Sequence, residues 1–458
     1  MAARNTSIAV AIRLRSLIPS EASSGHLSTL ISADIERRVI SVSSPPSARD
    51  FHFDLVLDQA CSQTELYERC GLDYLLGKFV EGYNVTVLAY GQTGAGKTFT
   101  MEGCGYRIPK TGKSVASSED STQLGVIPRV LQSLFRSSSE RSLSLSFLQL
   151  YKERLSDLLS PDSPSLKLRW NHTDQFYVEG LSLHRVETYA EALRLYQEGL
   201  KGKVMAAHLL NSVSSRSHCV LTIVCEGVEK EDGSAVVSRL QLVDLAGSER
   251  VSLTGNSGKA LKDSIDINKS LFTLRQVITQ LSSKDSQLYI PYRDSKLTSL
   301  LKQSFGGNSY CLMLACLNPC DICVEESVST LVYAAKAASI ANAPIRNLHP
   351  KTLAARQLKT EVMALKAELA KAQAQITVLS TLNQPQVTPT SAVITQTNTA
   401  PDLTAEPPTL LAAKLQDSLR LIKELMHTNR HLREQLREQN EARGKLESEA
   451  LQVYFSGS

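Results

Sequence analysis

The pattern of hydrophobic and polar positions along the chain changes near residue 345. Before that point, short apolar runs of strand length alternate with amphipathic helical stretches. This alternation predicts an α/β domain whose central, mostly parallel sheet is covered by helices. The predicted strands include Ile8–Ile12, Val85–Tyr90, Ser144–Leu150, Cys219–Val224, Leu240–Val243 and Cys311–Cys316.

After residue 353, apolar positions at heptad spacing predict an α-helical coiled coil over residues 354–382. Residues 383–408 hold five prolines among Thr, Gln and Asn, which predicts a disordered linker. A second coiled coil is predicted over residues 409–453, where Asn429 occupies an a position that tends to fix a two-stranded state. Two interpretations stay open: a homodimer, or solitary helices that fold back on the globular part. The apolar seam of the first predicted coiled coil consists of Leu358, Val362, Leu365, Leu369, Ala372, Ile376 and Leu379.

Composition excludes several classes of function. The 458 residues carry a net charge of +4, which gives no case for a nucleic-acid partner. No apolar run approaches the roughly eighteen residues of a transmembrane segment, and the first residues lack the apolar core of a secretion signal. The cluster Cys316, Cys320 and Cys323 lacks a second ligand pair at zinc spacing, so we interpret the cysteines as reduced thiols. We expect a cytoplasmic protein.

The most specific motif directly follows the predicted strand Val85–Tyr90. A strand that breaks into a glycine-rich turn and then a helix gathers backbone N–H groups and a lysine around a volume that suits a polyphosphate. In this pattern Lys97 reaches the terminal phosphates and the Thr98 hydroxyl ligates Mg2+. The alternative is a glycine-rich turn that binds nothing. The predicted phosphate loop consists of Gly91, Gln92, Thr93, Gly94, Ala95, Gly96, Lys97 and Thr98.

Two further segments carry groups that can sense a terminal phosphate. The first switch segment, residues 211–218, offers hydroxyls and a guanidinium in the order Asn-Ser-Val-Ser-Ser-Arg-Ser-His. The second switch segment, residues 244–249, reads Asp-Leu-Ala-Gly-Ser-Glu. A carboxylate at a strand end can hold a water on Mg2+, and the Gly247 amide can bond a γ-phosphate only while that phosphate is present.

These three motifs resemble those of the kinesin motors, and the resemblance covers the chain from Ile8 to about Asn347. Residues 168–171 and 176–180 are similar to members of the twelfth kinesin class. The resemblance implies a P-loop NTPase motor domain over residues 1–340, a neck linker over 341–353, and a microtubule-stimulated ATPase with ATP and Mg2+ as cofactors. Other stretches similar to the family are residues 146–159, 267–271, 292–298, 305–309 and 341–347.

The resemblance assigns roles around the phosphates. Thr98 and Ser215 would ligate Mg2+, with Asp244 acting through a water. Lys97 and Ser214 would contact the terminal phosphates. Chemistry of this kind depends on positioning and charge stabilisation, without a covalent intermediate.

The resemblance also implies how the switch segments close. Gly247 would sense the γ-phosphate, and an ion pair between Arg216 and Glu249 would position water and relay its proton. The alternative for this pair is an ordinary surface contact worth at most about 1 kcal/mol. The predicted catalytic residues are Ser214, Ser215, Arg216, Asp244, Gly247 and Glu249.

Adenine recognition is predicted around Arg13 and Arg15, where the family's Arg-x-Arg-Pro reads Arg-Leu-Arg-Ser and lacks the stiffening proline. Tyr67 can stack on the base, or it can belong to the core. The resemblance further implies that a tubulin-facing surface, where basic residues would steer binding to an acidic track, includes Lys269, Arg293, Lys296 and Lys302. The alternative for these four is solvated helix surface.

The order of motor, short linker and heptads resembles that of plus-end-directed motors on the cytoskeleton. The alternative function is a slow or non-motile microtubule-binding scaffold that acts through its coiled coil. The chain departs from the family pattern at Gly202-Lys203, where Asn-Arg is usual, at His208, where Thr is usual, and at Ser264 and Arg275, where Gly is usual.

Overall fold

A computed structural model describes the chain over most of its first 382 residues. The chain divides into two units, residues 1–372 and 373–458, and the second is described only as far as Leu382. The predicted linker and the second predicted coiled coil therefore lie outside the described residues. The structure describes residues 6–44, 47–103, 106–107, 116–117, 121–136, 141–161, 163, 166–171, 175–209, 216–227, 235–249, 259–283 and 289–382.

Strands and helices alternate through the first unit, and local sequence signals set several of their ends. At the start of the second helix, for example, the Ser62 hydroxyl accepts the Glu65 N–H, and the Glu65 carboxylate accepts the Ser62 N–H in return. The strands are β1 (Thr6–Ser7), β2 (Ala9–Leu14), β3 (Ile31–Asp34), β4 (Val39–Ser44), β5 (Ser47–His52), β6 (Leu55–Leu57), β7 (Val85–Tyr90), β8 (Tyr106–Arg107), β9 (Ala116–Ser117), β10 (Arg141–Tyr151), β11 (Arg154–Asp157), β12 (Lys167–Trp170), β13 (Phe176–Glu179), β14 (His184–Val186), β15 (His218–Gly227), β16 (Val237–Asp244), β17 (Tyr310–Leu317) and β18 (Ala341–Asn342). The helices are α1 (Pro19–Ser23), α2 (Gln63–Arg69), α3 (Leu72–Val80), α4 (Lys97–Met101), α5 (Val126–Arg136), α6 (Tyr189–Leu209), α7 (Lys259–Leu281), α8 (Lys296–Leu300), α9 (Val324–Ala338) and α10 (Pro350–Leu382).

The main sheet has the strand order β11-β10-β15-β16-β7-β17-β2-β6, with β14 paired to β10. The strands from β16 to β6 pair in parallel, whereas β15 is antiparallel to both of its neighbours. The prediction of a mostly parallel sheet is therefore wrong, and the sheet is mixed. The reason is that β15 and β16 follow one another as an antiparallel pair, which a pattern of buried strands does not distinguish from a parallel one.

Helices cover both faces of this sheet. Alternate residues of β7 belong to different sides of the core: Leu88 and Tyr90 pack with α7, α8 and α9, whereas Val85 and Val87 pack with α2, α3, α5 and α6. Two apolar layers thus enclose β7 completely, which explains why its sequence is a continuous apolar run. The phosphate loop leaves the sheet from this fully buried strand.

Residues 341–349 lie along the edge of the first unit. β18 pairs with β1, and further along the segment the Asn347 amide donates to Gly82 and the His349 amide to Ala235. The Asn342 side chain fixes the start of this segment, because it accepts the Gly306 N–H and donates to two backbone carbonyls, those of Ser304 and Ser309. The segment is therefore ordered by backbone pairing and by one buried amide.

The first predicted seam lies in α10, so the helix is confirmed but its pairing is not tested. The seam side chains that the structure describes are exposed, with Leu358 at 62 % and Leu369 at 58 %. Within the described part of the chain, none of the helices combines the length and apolarity needed to cross a bilayer.

Candidate nucleotide site

The phosphate loop (residues 91–98) follows β7 in the middle of the sheet, between β16 and β17. Gly91 has a φ of 146°, and a Cβ at this position would collide with the carbonyl oxygen of Cys316 on β17. Only glycine therefore fits at the first position of the loop. α4 begins at Lys97, so the loop joins a buried strand to a helix as its sequence predicts.

Lys97 is buried inside its own loop. Its Nζ donates to the carbonyl oxygen of Gln92 at 2.9 Å, and only 6 % of the residue is exposed. Burial lowers the pKa of this ammonium group, because the charged form is costly away from water. A buried ammonium that, in the described part of the chain, donates to one carbonyl is well suited to an anionic partner.

Thr98 and Asp244 come together at the edge of the loop. Thr98 Oγ1 donates to Asp244 Oδ2 at 2.7 Å, and Asp244 Oδ1 is buried without a hydrogen-bond partner among the described residues. A hydroxyl and a carboxylate supply the oxygen ligands that Mg2+ prefers, and the unpartnered oxygen can accept from a water on that ion. These residues therefore fit a Mg2+ site. Ser214 and Ser215 lie outside the described residues.

Lys203, a buried lysine at a position where the chain departs from the family pattern, adjoins this pair. Lys203 Nζ lies 2.7 Å from Glu102 Oε1 and 3.6 Å from Asp244 Oδ2. Burial works to lower the pKa of Lys203, but the nearby Cys219, Glu102 and Asp244 together raise it above its ordinary value. Lys203 therefore stays protonated and supplies a fixed positive charge beside the predicted Mg2+ ligands.

The second switch segment folds over the phosphate loop. The Glu249 carboxylate accepts the Thr93 N–H at 2.8 Å and the Thr93 hydroxyl at 2.6 Å. Gly247 lies under this contact, and a Cβ there would meet both Thr93 and the Glu249 carboxylate. Arg216 is half-buried and, among the described residues, forms no ion pair with Glu249. The structure thus brings Glu249 to the loop rather than to Arg216.

A cavity of about 780 Å3 opens beside the loop and holds both predicted adenine-site arginines in its lining. Arg13 is itself buried, donates to Gln63 and Thr100, and stacks on the Phe99 ring with 5.1 Å to the centroid. Arg15 donates to the Gly94 carbonyl at 2.6 Å. Phe99, which was not predicted as a site residue from the sequence, also lines the cavity and is 36 % exposed. Its signal was an aromatic residue directly behind Lys97-Thr98.

Tyr67 belongs to the core, which was the alternative to its predicted contact with the base. It is 7 % exposed, and its hydroxyl is hydrogen-bonded to Asp73 at 2.7 Å and to Ser133 at 2.9 Å. Burial raises the pKa of this phenol above its ordinary value. Tyr67 is not among the residues that line the cavity.

The four predicted track-facing cations lie on or beside the helices of one face. Lys269 is exposed on α7, Lys296 begins α8 and Arg293 lies in the turn before it. Arg293 and Lys302 both contact the ring of Trp170, the chain's single tryptophan, at 5.2 and 4.4 Å from its centroid. The structure therefore brings two of the four cations together around one aromatic side chain.

The chain is similar to known proteins over most of this unit. It is 38 % identical over 373 residues to the human chromosome-associated kinesin KIF4A, and 35 % identical over 395 residues to the kinesin-like protein kif7 of Danio rerio. These alignments cover 80 % and 83 % of this chain but only 29 % and 28 % of the two relatives. The chain therefore spans less than a third of their length.

A solved structure described as that of a fast kinesin, with implications for ATPase mechanism and interactions with microtubules, superposes with a TM-score of 0.68. It shares 35 % sequence identity, and the match covers 75 % of this chain and 94 % of that one. The model of the kinesin motor domain family matches residues 13–340, which include β7, the phosphate loop and the second switch segment. The chain belongs to the kinesin motor domain family.

Proposed function

We propose that this protein is a microtubule-stimulated ATPase that moves along microtubules. One observation carries the proposal: a phosphate loop, a Thr98–Asp244 oxygen pair and the second switch segment meet at one point of a kinesin motor fold. The match to a structure described through ATPase mechanism and interactions with microtubules supports the same function. ATP and Mg2+ are the cofactors that this site would use.

The chain's own groups divide the chemistry among them. Lys97 and the loop amides would neutralise the terminal phosphates, together with Ser214. Thr98 and Ser215 would ligate Mg2+, which shields the phosphate charge, and Asp244 would orient a water on it. Lys203 would hold Asp244 in place, because its ammonium lies 3.6 Å from that carboxylate.

Glu249 would act after a change of partner. In this structure its carboxylate is bonded to Thr93, whereas the proposed chemistry needs it beside Arg216, where it would hold the attacking water. Closure of the two switch segments would therefore consist of transferring Glu249 from the loop to Arg216, with Gly247 turning toward the γ-phosphate.

The substitution Glu249→Ala tests this assignment. We expect it to abolish microtubule-stimulated ATP turnover but to leave ATP binding intact, because Lys97 and Thr98 remain. The matched control is Lys97→Ala, which should lose binding itself. Steady-state turnover of Glu249→Ala near that of the unmodified protein would refute the assignment of Glu249.

The track contact would involve Lys269, Arg293, Lys296 and Lys302, and it would weaken as salt rises. Cosedimentation with microtubules at increasing salt measures this directly. Lys269→Glu should shift the salt midpoint downward. The control is Lys201→Glu, an exposed lysine on α6, which packs against the opposite face of the sheet. Failure of the unmodified protein to pellet at low salt would refute microtubules as the partner.

Movement would be directed toward the plus end. The segment 341–353 would act as the neck linker, and its pairing with β1 and its hydrogen bonds to Gly82 and Ala235 support a docked arrangement. Gliding of polarity-marked microtubules tests the direction, and the minus-end signature would contradict it.

The heptad seams would pair two chains as a homodimer on the cytoskeleton, and the exposed seam of α10 supports this. The proline-rich break after the first seam favours a second candidate, a slow or non-motile microtubule-binding scaffold. Single-molecule motility with ATP distinguishes the two functions, because only a motor shows directed runs.

A further inference from the structure

Arg275 connects three elements that meet behind the phosphate loop. It lies on α7 at a position where the resemblance to kinesins leads one to expect glycine. Its Nε donates to the Tyr90 hydroxyl at 3.0 Å, and a second guanidinium nitrogen donates to the carbonyl oxygen of Ser248. The guanidinium also stacks on the Tyr333 ring of α9, 4.9 Å from its centroid. A glycine could make none of these contacts.

The Ser248 carbonyl is a sensitive place for such a bond. Ser248 stands between Gly247 and Glu249, and its own amide donates to the Gly91 carbonyl at 3.1 Å. The peptide groups on both sides of this residue are therefore bonded, one to the phosphate loop and one to α7. Rotation of either peptide group of Ser248 would have to break one of these bonds.

A second set of hydrogen bonds connects the second switch segment to α7. The Ala246 amide donates to His218 Nδ1 at 3.0 Å, and the other ring nitrogen of His218 lies 2.8 Å from the Ser270 hydroxyl on α7. Because Nδ1 accepts a hydrogen bond, the ring hydrogen is on Nε2, which donates to the Ser270 hydroxyl. Both neighbours of Gly247 are thus joined to α7, one through a histidine and one through Arg275.

This bonded arrangement is the one in which Glu249 contacts Thr93 rather than Arg216. The hydrogen bond from Arg275 to Ser248 therefore favours the conformation that precedes the proposed closure, and the bond to Tyr90 on β7 orients the guanidinium that donates it. Hydrogen bonds to a charged donor are among the stronger ones in proteins, and losing one typically changes an equilibrium constant by roughly tenfold or more.

We propose that Arg275 is a positioning residue that holds the second switch segment in its open conformation and makes its release depend on movement of α7. This proposal rests on the proposed ATPase and track-binding function. Since α7 also carries the proposed track residue Lys269, microtubule binding would shift the helix and loosen the hold on Ser248. In the absence of microtubules, Arg275 would keep turnover low.

Steady-state ATPase assays with and without microtubules test this role. We expect Arg275→Ala to raise the basal kcat about tenfold, to leave the KM for ATP within about twofold, and to reduce the ratio of stimulated to basal turnover. Tyr90→Phe removes only one of the two bonds and should raise the basal kcat by a smaller factor. Gln276→Ala, at an exposed neighbouring position on α7, is the matched control and should leave basal turnover unchanged.

The outcomes separate the two proposals. If the unmodified protein hydrolyses no ATP with or without microtubules, the proposed function fails. If it hydrolyses ATP but Arg275→Ala has an unchanged or lower basal kcat, the role of Arg275 is refuted. If Arg275→Ala melts at a clearly lower temperature, the variant Arg275→Lys is used in its place. It keeps the charge but loses the planar guanidinium that makes both hydrogen bonds. A raised basal kcat of Arg275→Lys supports the proposal, and an unchanged basal kcat overturns it.

Discussion

Replacing Lys203 by methionine should destabilise the first unit strongly. Methionine has a similar length but no charge, so Glu102 and Asp244 would lose the ammonium that lies 2.7 and 3.6 Å from them. Both carboxylates are largely buried, with side-chain exposures of 16 % and 9 %. Removing one partner from such a buried arrangement typically costs about 3 to 5 kcal/mol, because the remaining charge stays uncompensated away from water.

Urea titration of the unmodified and variant proteins measures this cost. Lys201→Met is the matched control, because it removes an exposed lysine two residues away on α6 and should change the unfolding free energy by less than about 0.5 kcal/mol. The double variant Lys203→Met with Glu102→Gln should recover at least half of the loss, since one of the uncompensated charges is then absent.

The Lys203→Met variant also tests whether Lys203 affects binding at the nucleotide site. Mg2+ with a nucleotide should stabilise Lys203→Met less than it stabilises the unmodified protein, because Asp244 is no longer held in place. Lys203→Arg keeps the charge, although its larger guanidinium must fit a buried site, so it should lose less stability than Lys203→Met. A loss below about 1 kcal/mol for Lys203→Met, or a loss equal to that of Lys201→Met, would refute the reasoning.

Three further results are expected. Burial lowers the pKa of His218 to about 3, whereas an unfolded histidine titrates near pH 6.5. The unfolded state therefore binds more protons between these values, and unfolding free energy should fall by about 1.4 kcal/mol per pH unit below about pH 6. In urea titrations at pH 5 and 7, the unfolding free energy of His218→Gln should depend less on pH than that of the unmodified protein. Gly91→Ala should lose binding of a fluorescent ATP analogue, because its methyl group would meet the Cys316 carbonyl, and unchanged affinity would contradict this. Asn342→Ala should speed amide hydrogen exchange over residues 341–349, since three backbone groups lose their partner, and an unchanged exchange pattern would count against it.

Sequence reasoning recovered the parts of the fold that depend on local pattern. Val85–Tyr90 is a strand with the same bounds in sequence and structure, and the other five predicted strands all overlap observed ones. The direction of strand pairing depends on contacts distant in sequence, so the antiparallel β15 was not predicted. The heptads of α10 predicted a helix correctly, but pairing between chains is a property that a single chain does not display.

In the candidate site, too, some features could be predicted from local sequence and others depend on tertiary structure. The phosphate loop follows from a motif whose spacing is local. The contact between Thr98 and Asp244 joins residues 146 positions apart, and only the family resemblance suggested that both lie near Mg2+. The contact of Glu249 with Thr93 was not predicted, because it depends on the backbone conformation of the second switch segment. Tyr67 shows the converse: its sequence position suggested a base contact, but tertiary packing against Asp73 and Ser133 places it in the core.

The order of strands in the main sheet bears on how the protein is made. β17 lies between β7 and β2, which leave the ribosome more than two hundred residues before it. Until Leu317 has been synthesised, the growing chain has two strand edges that have no partner at the place where β17 will insert. Such edges are prone to pair with other chains, and a sheet closed by its last main strand folds slowly. A chain that stops before β17 would therefore also lack the Cys316 backbone, against which Gly91 of the phosphate loop packs.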